Sequence, residues 1–264
     1  MRDGQIHLDV VDRIATVTID RPAKRNALTT AMRTELLSAL QAADHSDQVR
    51  VVVMTGADGA FCAGGDIAVL RELKAHNDEA GFVRLLDDGK SIVALLRSSA
   101  KPTIAMVNGV AFGAGFFLAI ACDLRVCAET ATFGVPFVSL GLGPDWGGTY
   151  LLPRLLGTAK ALEMLYTGEA IAAAEAWRIG LVNQLWPAAE LSARTWSLAR
   201  RLAAHPPAVL ARYKKAIHAT LDASFETTAA IERQLQLESF RSADCAEGIA
   251  AFLEKRPPRF EERD

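Results

Sequence analysis

The spacing of apolar positions changes character about halfway along the chain. In the first half, short β-branched runs alternate with stretches of helical spacing, the mark of strands joined by crossover helices. Residues 14–19, 49–54 and 103–107 read as strands. Between the first two, Met32, Leu36, Leu37, Leu40 and Ala43 recur at three- and four-residue intervals behind Thr29 or Thr30 as N-cap, which predicts an amphipathic helix. Residues 67–97 mix charge with apolar spacing and read as two helices with a joint near residues 77–81. After Gly134 the strand signal fades, and residues 159–166, 170–177, 191–204, 208–221 and 243–255 all read as helices. Pro206-Pro207 separates two of them and Pro257-Pro258 ends the last. The pattern predicts an α/β core over residues 1–200 and a helical module over 201–264.

Composition narrows the class. The 264 residues are 50% hydrophobic and 23% charged, values of an ordinary globular chain. Lys and Arg number 29 against 31 Asp and Glu, a formal net charge of -2, so no positive field invites nucleic acid or anionic lipid. No apolar run has the length of a membrane span, and residues 1–20 lack the basic and apolar regions of a signal peptide. The cysteines, Cys62, Cys122, Cys127 and Cys245, form no CxxC pair and have no histidine at metal-ligand spacing. They read as reduced thiols of a cytoplasmic protein without a metal site.

Candidate chemistry lies in three turns, each following a predicted strand: residues 21–28, Phe61-Cys62-Ala63-Gly64-Gly65-Asp66-Ile67, and residues 108–115. Small residues there leave backbone N–H groups uncovered, and a helix starting just beyond adds its positive end. Two such amides can hold one oxyanion. Singly, each is an ordinary glycine turn; the combination is specific.

In this order the three segments resemble the crotonase (enoyl-CoA hydratase/isomerase) superfamily over essentially the whole chain. The resemblance implies a crotonase-like ββα-superhelix core with a C-terminal helical trimerisation module, acting on an acyl-CoA thioester. Coenzyme A then enters as part of the substrate, with no separate cofactor. Oxyanion-hole amides are implied at Ala63 and at Ala114, within Gly113-Ala114-Gly115. Coenzyme A is expected against Lys24, Arg25, Ala27, Gly64, Gly65, Asp66 and Ile67. Phe252 and Lys255 match the segment that reaches the ligand of a neighbouring subunit, which implies a homotrimer or a dimer of trimers. Phe116, Phe117, Phe137 and Trp146 are expected around the acyl group.

The hydratases of that superfamily add water with two glutamates. Matched motif to motif, those positions hold Phe117 and Phe137, which transfer no protons. One carboxylate remains at a position the superfamily uses, Asp145, where double-bond isomerases place their base; it also reads as an N-cap for a helix starting at Trp146. Residues 137–154, with Gly143-Pro144-Asp145, Gly147-Gly148-Thr149 and Leu152-Pro153-Arg154, resemble the 1,2-epoxyphenylacetyl-CoA isomerase branch, as does Arg241-Ser242-Ala243-Asp244. The expectation is an acyl-CoA isomerase with Asp145 as base. The alternatives are a hydratase or lyase without the glutamate pair, an aryl-CoA dehalogenase with Asp145 as nucleophile, and a non-catalytic CoA-binding relative. Asp123 is expected to make a structural hydrogen bond, and Cys62 to pack.

Overall fold

A computed structural model describes residues 3–260. Strand β1 (Gln5–Val11) pairs antiparallel with β2 (Ile14–Asp20) through a turn at Asp12 and Arg13, both at positive φ. Next to β2, and parallel to it, run β3 (Val51–Gly56), β4 (Thr103–Val107), β6 (Leu124–Ala128) and β9 (Gln184–Trp186), giving a six-stranded sheet in the order β1-β2-β3-β4-β6-β9. A second, three-stranded sheet holds β5 (Val110–Phe112), β7 (Thr132–Gly134) and β8 (Ile171–Ala172).

Period-two alternation along β3 explains why its residues are buried throughout. Val52 and Met54 face one side, with Met32, Leu36 and Leu40 of α1 (Thr30–His45) and with α4 (Ala114–Ala121). Val51 and Val53 face the other, with Leu191, Ala199 and Ala203 of α8 (Ala188–Ala203). Thr29 caps α1, its side chain accepting the Met32 N–H. The stretch over 67–97 is two helices, α2 (Ile67–Ala75) and α3 (Glu79–Ser98), and Asp78 at their joint caps the second by accepting from Gly81 N–H.

The second half departs from expectation in two ways. Strands continue past Gly134: β8 occupies two residues at the start of the expected 170–177 helix, leaving α7 (Ala173–Arg178), and β9 closes the sheet edge with three. Strands that short carry no periodicity to read. A helix, α10 (Phe225–Phe240), also stands between α9 (Pro207–Thr220) and α11 (Ala243–Glu254), where no helix was predicted. The apolar residues of α10 are spread around the helix rather than gathered on one side, with Phe225, Leu237 and Phe240 exposed, so no apolar stripe marks it in the sequence. Residue 200 lies within α8, whose helix continues to Ala203 before the break at Pro206.

Asp123 has the expected structural part. Its Oδ2 accepts from Thr103 N–H at 2.8 Å, from Thr103 Oγ1 at 3.0 Å and from Lys214 Nζ of α9 at 2.9 Å. No described helix is long and apolar enough to cross a membrane, and no cluster of metal-ligating side chains occurs among the described residues.

Candidate active site

The three turns are bonded to one another. Asn26, wholly buried in the first, accepts from Arg21 N–H and donates through Nδ2 to the carbonyls of Ala57 and Ala60. The second turn is then gripped on both sides. Leu28 N–H donates to Gly64 O at 2.8 Å and Asp66 N–H to Leu28 O at 3.0 Å, while Cys62 N–H donates to Val110 O and Phe112 N–H to Cys62 O. Gly64 sits at φ +104°, and a Cβ there would come within 2.8 Å of Phe112 O and 3.4 Å of Ala114 N, so only glycine lets the second and third turns approach this closely.

That bonding decides which amides are free. Ala63, the expected donor, is not one of them: its N–H donates to Arg25 O at 2.9 Å. Along the extended bridge, Gly64 O and Asp66 N–H both face Leu28, so the Gly65 N–H points the other way and finds no acceptor among the described residues. Ala114 opens α4, and its N–H, one of the helix's unpaired first-turn donors, likewise has none. The available pair is Gly65 and Ala114. Composition and spacing cannot separate consecutive amides of one turn; only the bonded register does.

Both residues line a cavity of about 550 Å³, together with Arg33, Phe137, Asp145 and Trp146. Phe116 and Phe117 do not line it, contrary to expectation. Every residue of α4 is buried, and the two rings face the core: Phe117 meets Phe116 edge-on at 5.4 Å and stacks behind Phe137. Trp146, 2% exposed, and half-buried Phe137 do form the wall.

Asp145 caps no helix. Helix α5 (Gly148–Leu156) begins three residues later with Gly147 as N-cap, and only the backbone carbonyl of Asp145 bonds forward, accepting from Gly148 N–H at 2.8 Å. Its Oδ1 is buried without a hydrogen-bond partner. Burial pushes the Asp145 carboxyl above its ordinary pKa, against the opposing pull of the Arg33 guanidinium. A half-desolvated carboxylate beside two free amides can move a proton at a carbon whose charge those amides hold.

Arg33 is the residue that sequence reasoning missed. It lies beside Met32 at the edge of the apolar stripe of α1, is 5% exposed, donates from Nη1 to Leu85 O at 2.9 Å, and stands 5.6 Å over the Trp146 ring. A charge adjoining an otherwise apolar helix face was the available signal.

The residues expected at coenzyme A divide. Lys24 and Arg25 are exposed, and Gly64 and Ile67 join the cavity rim, leaving cations and turn backbone accessible together. Ala27 is buried, its carbonyl accepting from Arg21 Nη1. Asp66 is committed internally: it caps α2 through Ala68 N–H at 2.8 Å and pairs with buried Arg21 at 2.7 Å. Phe252 and Lys255, at the end of α11, line none of this cavity, and Phe252 is 84% exposed. Cys62 packs as expected, its thiol pushed up to about 12 by burial.

Comparison with known proteins shows the family. The sequence profile described as enoyl-CoA hydratase/isomerase matches residues 10–263. The chain is 38% identical over 251 residues to the 2,3-dehydroadipyl-CoA hydratase of Escherichia coli, covering 95% of this chain and 96% of that one. It is 37% identical over 256 residues to the crotonyl-CoA hydratase of Syntrophomonas wolfei, covering 97% of each. The crystal structure of an enoyl-CoA hydratase from Bacillus anthracis superposes with a TM-score of 0.92 at 32% identity, over 98% of this chain and 99% of that one. With crotonase-like turns, fold and profile in agreement over nearly its whole length, the chain belongs to the enoyl-CoA hydratase/isomerase family.

Proposed function

We propose that the protein is an acyl-CoA isomerase that shifts a double bond, or rearranges the acyl group, through a thioester enolate. The observation that carries this reading is Asp145, a half-buried carboxylate whose Oδ1 has no hydrogen-bond partner, in a cavity walled by Phe137 with Phe117 stacked behind it, the two positions where the resemblance would put hydratase glutamates. The thioester oxygen accepts from Gly65 and Ala114 N–H, each such donor contributing roughly 2.7 to 4 kcal/mol to an oxyanionic transition state. Asp145 removes the α-proton of a 3-enoyl thioester and returns it at the far end of the dienolate. Atoms balance with no co-reactant, and the apolar wall of Phe137 and Trp146 keeps water from the enolate. The stretch around Asp145 resembles the 1,2-epoxyphenylacetyl-CoA isomerase branch, which supports ring-derived as well as linear acyl groups.

The names of similar proteins favour a second reading, hydration of an enoyl-CoA, with water positioned by Asp145 alone. Absorbance at the conjugated thioester band separates the two. Isomerisation of a 3-enoyl-CoA faster than hydration of crotonyl-CoA supports the first; crotonyl-CoA turnover in the usual enzyme range of about 1 to 10³ per second supports the second.

For coenzyme A itself, the reading puts the nucleotide beside Lys24 and Arg25 and assembles the protein as a homotrimer or a dimer of trimers. The exposed aromatic residues Phe225, Phe240 and Phe252 on the C-terminal helices support assembly.

A further inference from the structure

We propose that Arg33 forms a second polar subsite in the cavity, one that takes a neutral oxygen carried by the acyl group and so selects oxygenated acyl-CoA thioesters over hydrocarbon ones. This rests on the acyl-CoA reading of the cavity. A guanidinium carries five N–H donors in a fixed fork. Here Nη1 alone has a protein acceptor, Leu85 O at 2.9 Å, and Nε is buried with no partner at all. Nη2 lies against the oxyanion turn, 2.8 Å from where a Cβ of Gly65 would stand. Nη1 thus fixes the fork at one corner, and Nη2, beside the oxyanion turn, is the donor left for a ligand in the cavity that Arg33 lines.

Buried donors are paired in nearly all native structures, by protein, water or ligand. The carboxylate in the same cavity, Asp145, shows the complementary deficiency: its Oδ1 is buried and unpartnered, and it makes neither hydrogen bond nor ion pair with Arg33. Arg33 and Asp145 therefore share one cavity, whose lining also includes Lys90 and Asp87, and act on each other through charge without forming an ion pair. A hydroxyl bound there accepts from Arg33 and donates to Asp145; a keto oxygen accepts from Arg33. A carboxylate would satisfy Arg33 but would also lie against Asp145, which makes a neutral oxygen the fitting class. A hydrocarbon chain leaves both groups unsatisfied.

Titration calorimetry with butyryl-, 4-hydroxybutyryl-, 3-oxobutyryl- and succinyl-CoA tests this. Butyryl- and 4-hydroxybutyryl-CoA match in chain length, so their difference reports the oxygen. The wild-type protein is expected to bind 4-hydroxybutyryl-CoA about tenfold or more tighter than butyryl-CoA, the range of a charge-assisted hydrogen bond; 3-oxobutyryl-CoA, which can also enolise onto the Gly65 and Ala114 amides, counts only through the change that Arg33→Met makes. In Arg33→Met that preference falls to within about twofold while butyryl-CoA affinity is kept, the reverse of what a general loss of structure produces. If Arg33→Met does not fold, the wild-type comparison decides alone. Equal wild-type affinities, equal weakening of all ligands in the variant, or tightest binding of succinyl-CoA would each overturn the subsite. Binding of no CoA thioester at all would overturn the acyl-CoA reading, and the subsite with it.

Discussion

The ring of Phe117 stacks on that of Phe137, centroids 5.6 Å apart and planes inclined by 26°. Phe137 faces the cavity; Phe117 supports it from the core, in the room left by Gly148, which has no Cβ to meet the Phe117 ring. Two positions where the resemblance would put glutamates in a hydratase thus carry one apolar partition.

Because Phe117 is wholly buried, Phe117→Ala is expected to cost about 3 to 5 kcal/mol of stability, while Phe137→Ala costs less. Urea denaturation of both variants reads the difference. Equal losses would mean that the two rings share one environment, against the arrangement described.

Gly64→Ala places a side chain at φ +104° against Phe112 O, where neighbouring backbone cannot give way cheaply. Its strain is expected at about 1 to 3 kcal/mol, with the Gly65 and Ala114 amides displaced from each other and catalysis reduced more than thermal stability. Parallel kcat and melting measurements check this.

Asp145 is predicted to leave a signature in stability as well as in rate. Its folded pKa is raised, so it stabilises the fold when protonated; that contribution is complete below the unfolded carboxyl pKa of about 3.9 and is lost as pH rises through the folded value. Asp145→Asn removes the buried charge, so the variant should melt above wild type at neutral pH, with the gap closing toward acid. A variant less stable at pH 7 would show that the side chain supports structure instead.

The proposed assembly is tested through the exposed aromatic residues of α10 and α11. Light scattering should report a trimer or a hexamer, and Phe252→Asp should weaken assembly or coenzyme A affinity. A wild-type monomer with full affinity would remove Phe252 and Lys255 from the binding account.

How much of this was legible in the sequence depended on the length of each signal. Residues 14–19 and the α1 stripe were read within a residue or two, because a buried strand and a half-buried helix impose different periods over many positions. The shift of the strand expected at 49–54 to Val51–Gly56 comes from Val49 and Arg50, apolar or buried like the strand but held in the turn before it, where Val49 N–H bonds Ser46 O. Strand β9 has three residues and α10 spreads its apolar positions around the helix, so neither imposes a period. At the site, the motif located the turns, yet the free amide moved from Ala63 to Gly65 because hydrogen-bond register is a property of paired segments. Arg33 was invisible for a related reason: its importance comes from what α3 and the Trp146 turn bring beside it.

In the proposed reaction Asp145 moves a proton on an enolate held by Gly65 and Ala114. Incubating a 3-enoyl-CoA with wild type and with Asp145→Asn in deuterated water, followed by mass and nuclear magnetic resonance analysis of the thioester, tests it most directly. Conjugation with deuterium entering the acyl chain is expected, with a rate lower by roughly 10² to 10⁴ in the variant and its fold intact. Nearly full isomerisation by Asp145→Asn, or hydration as the main wild-type reaction, would contradict the proposed reaction.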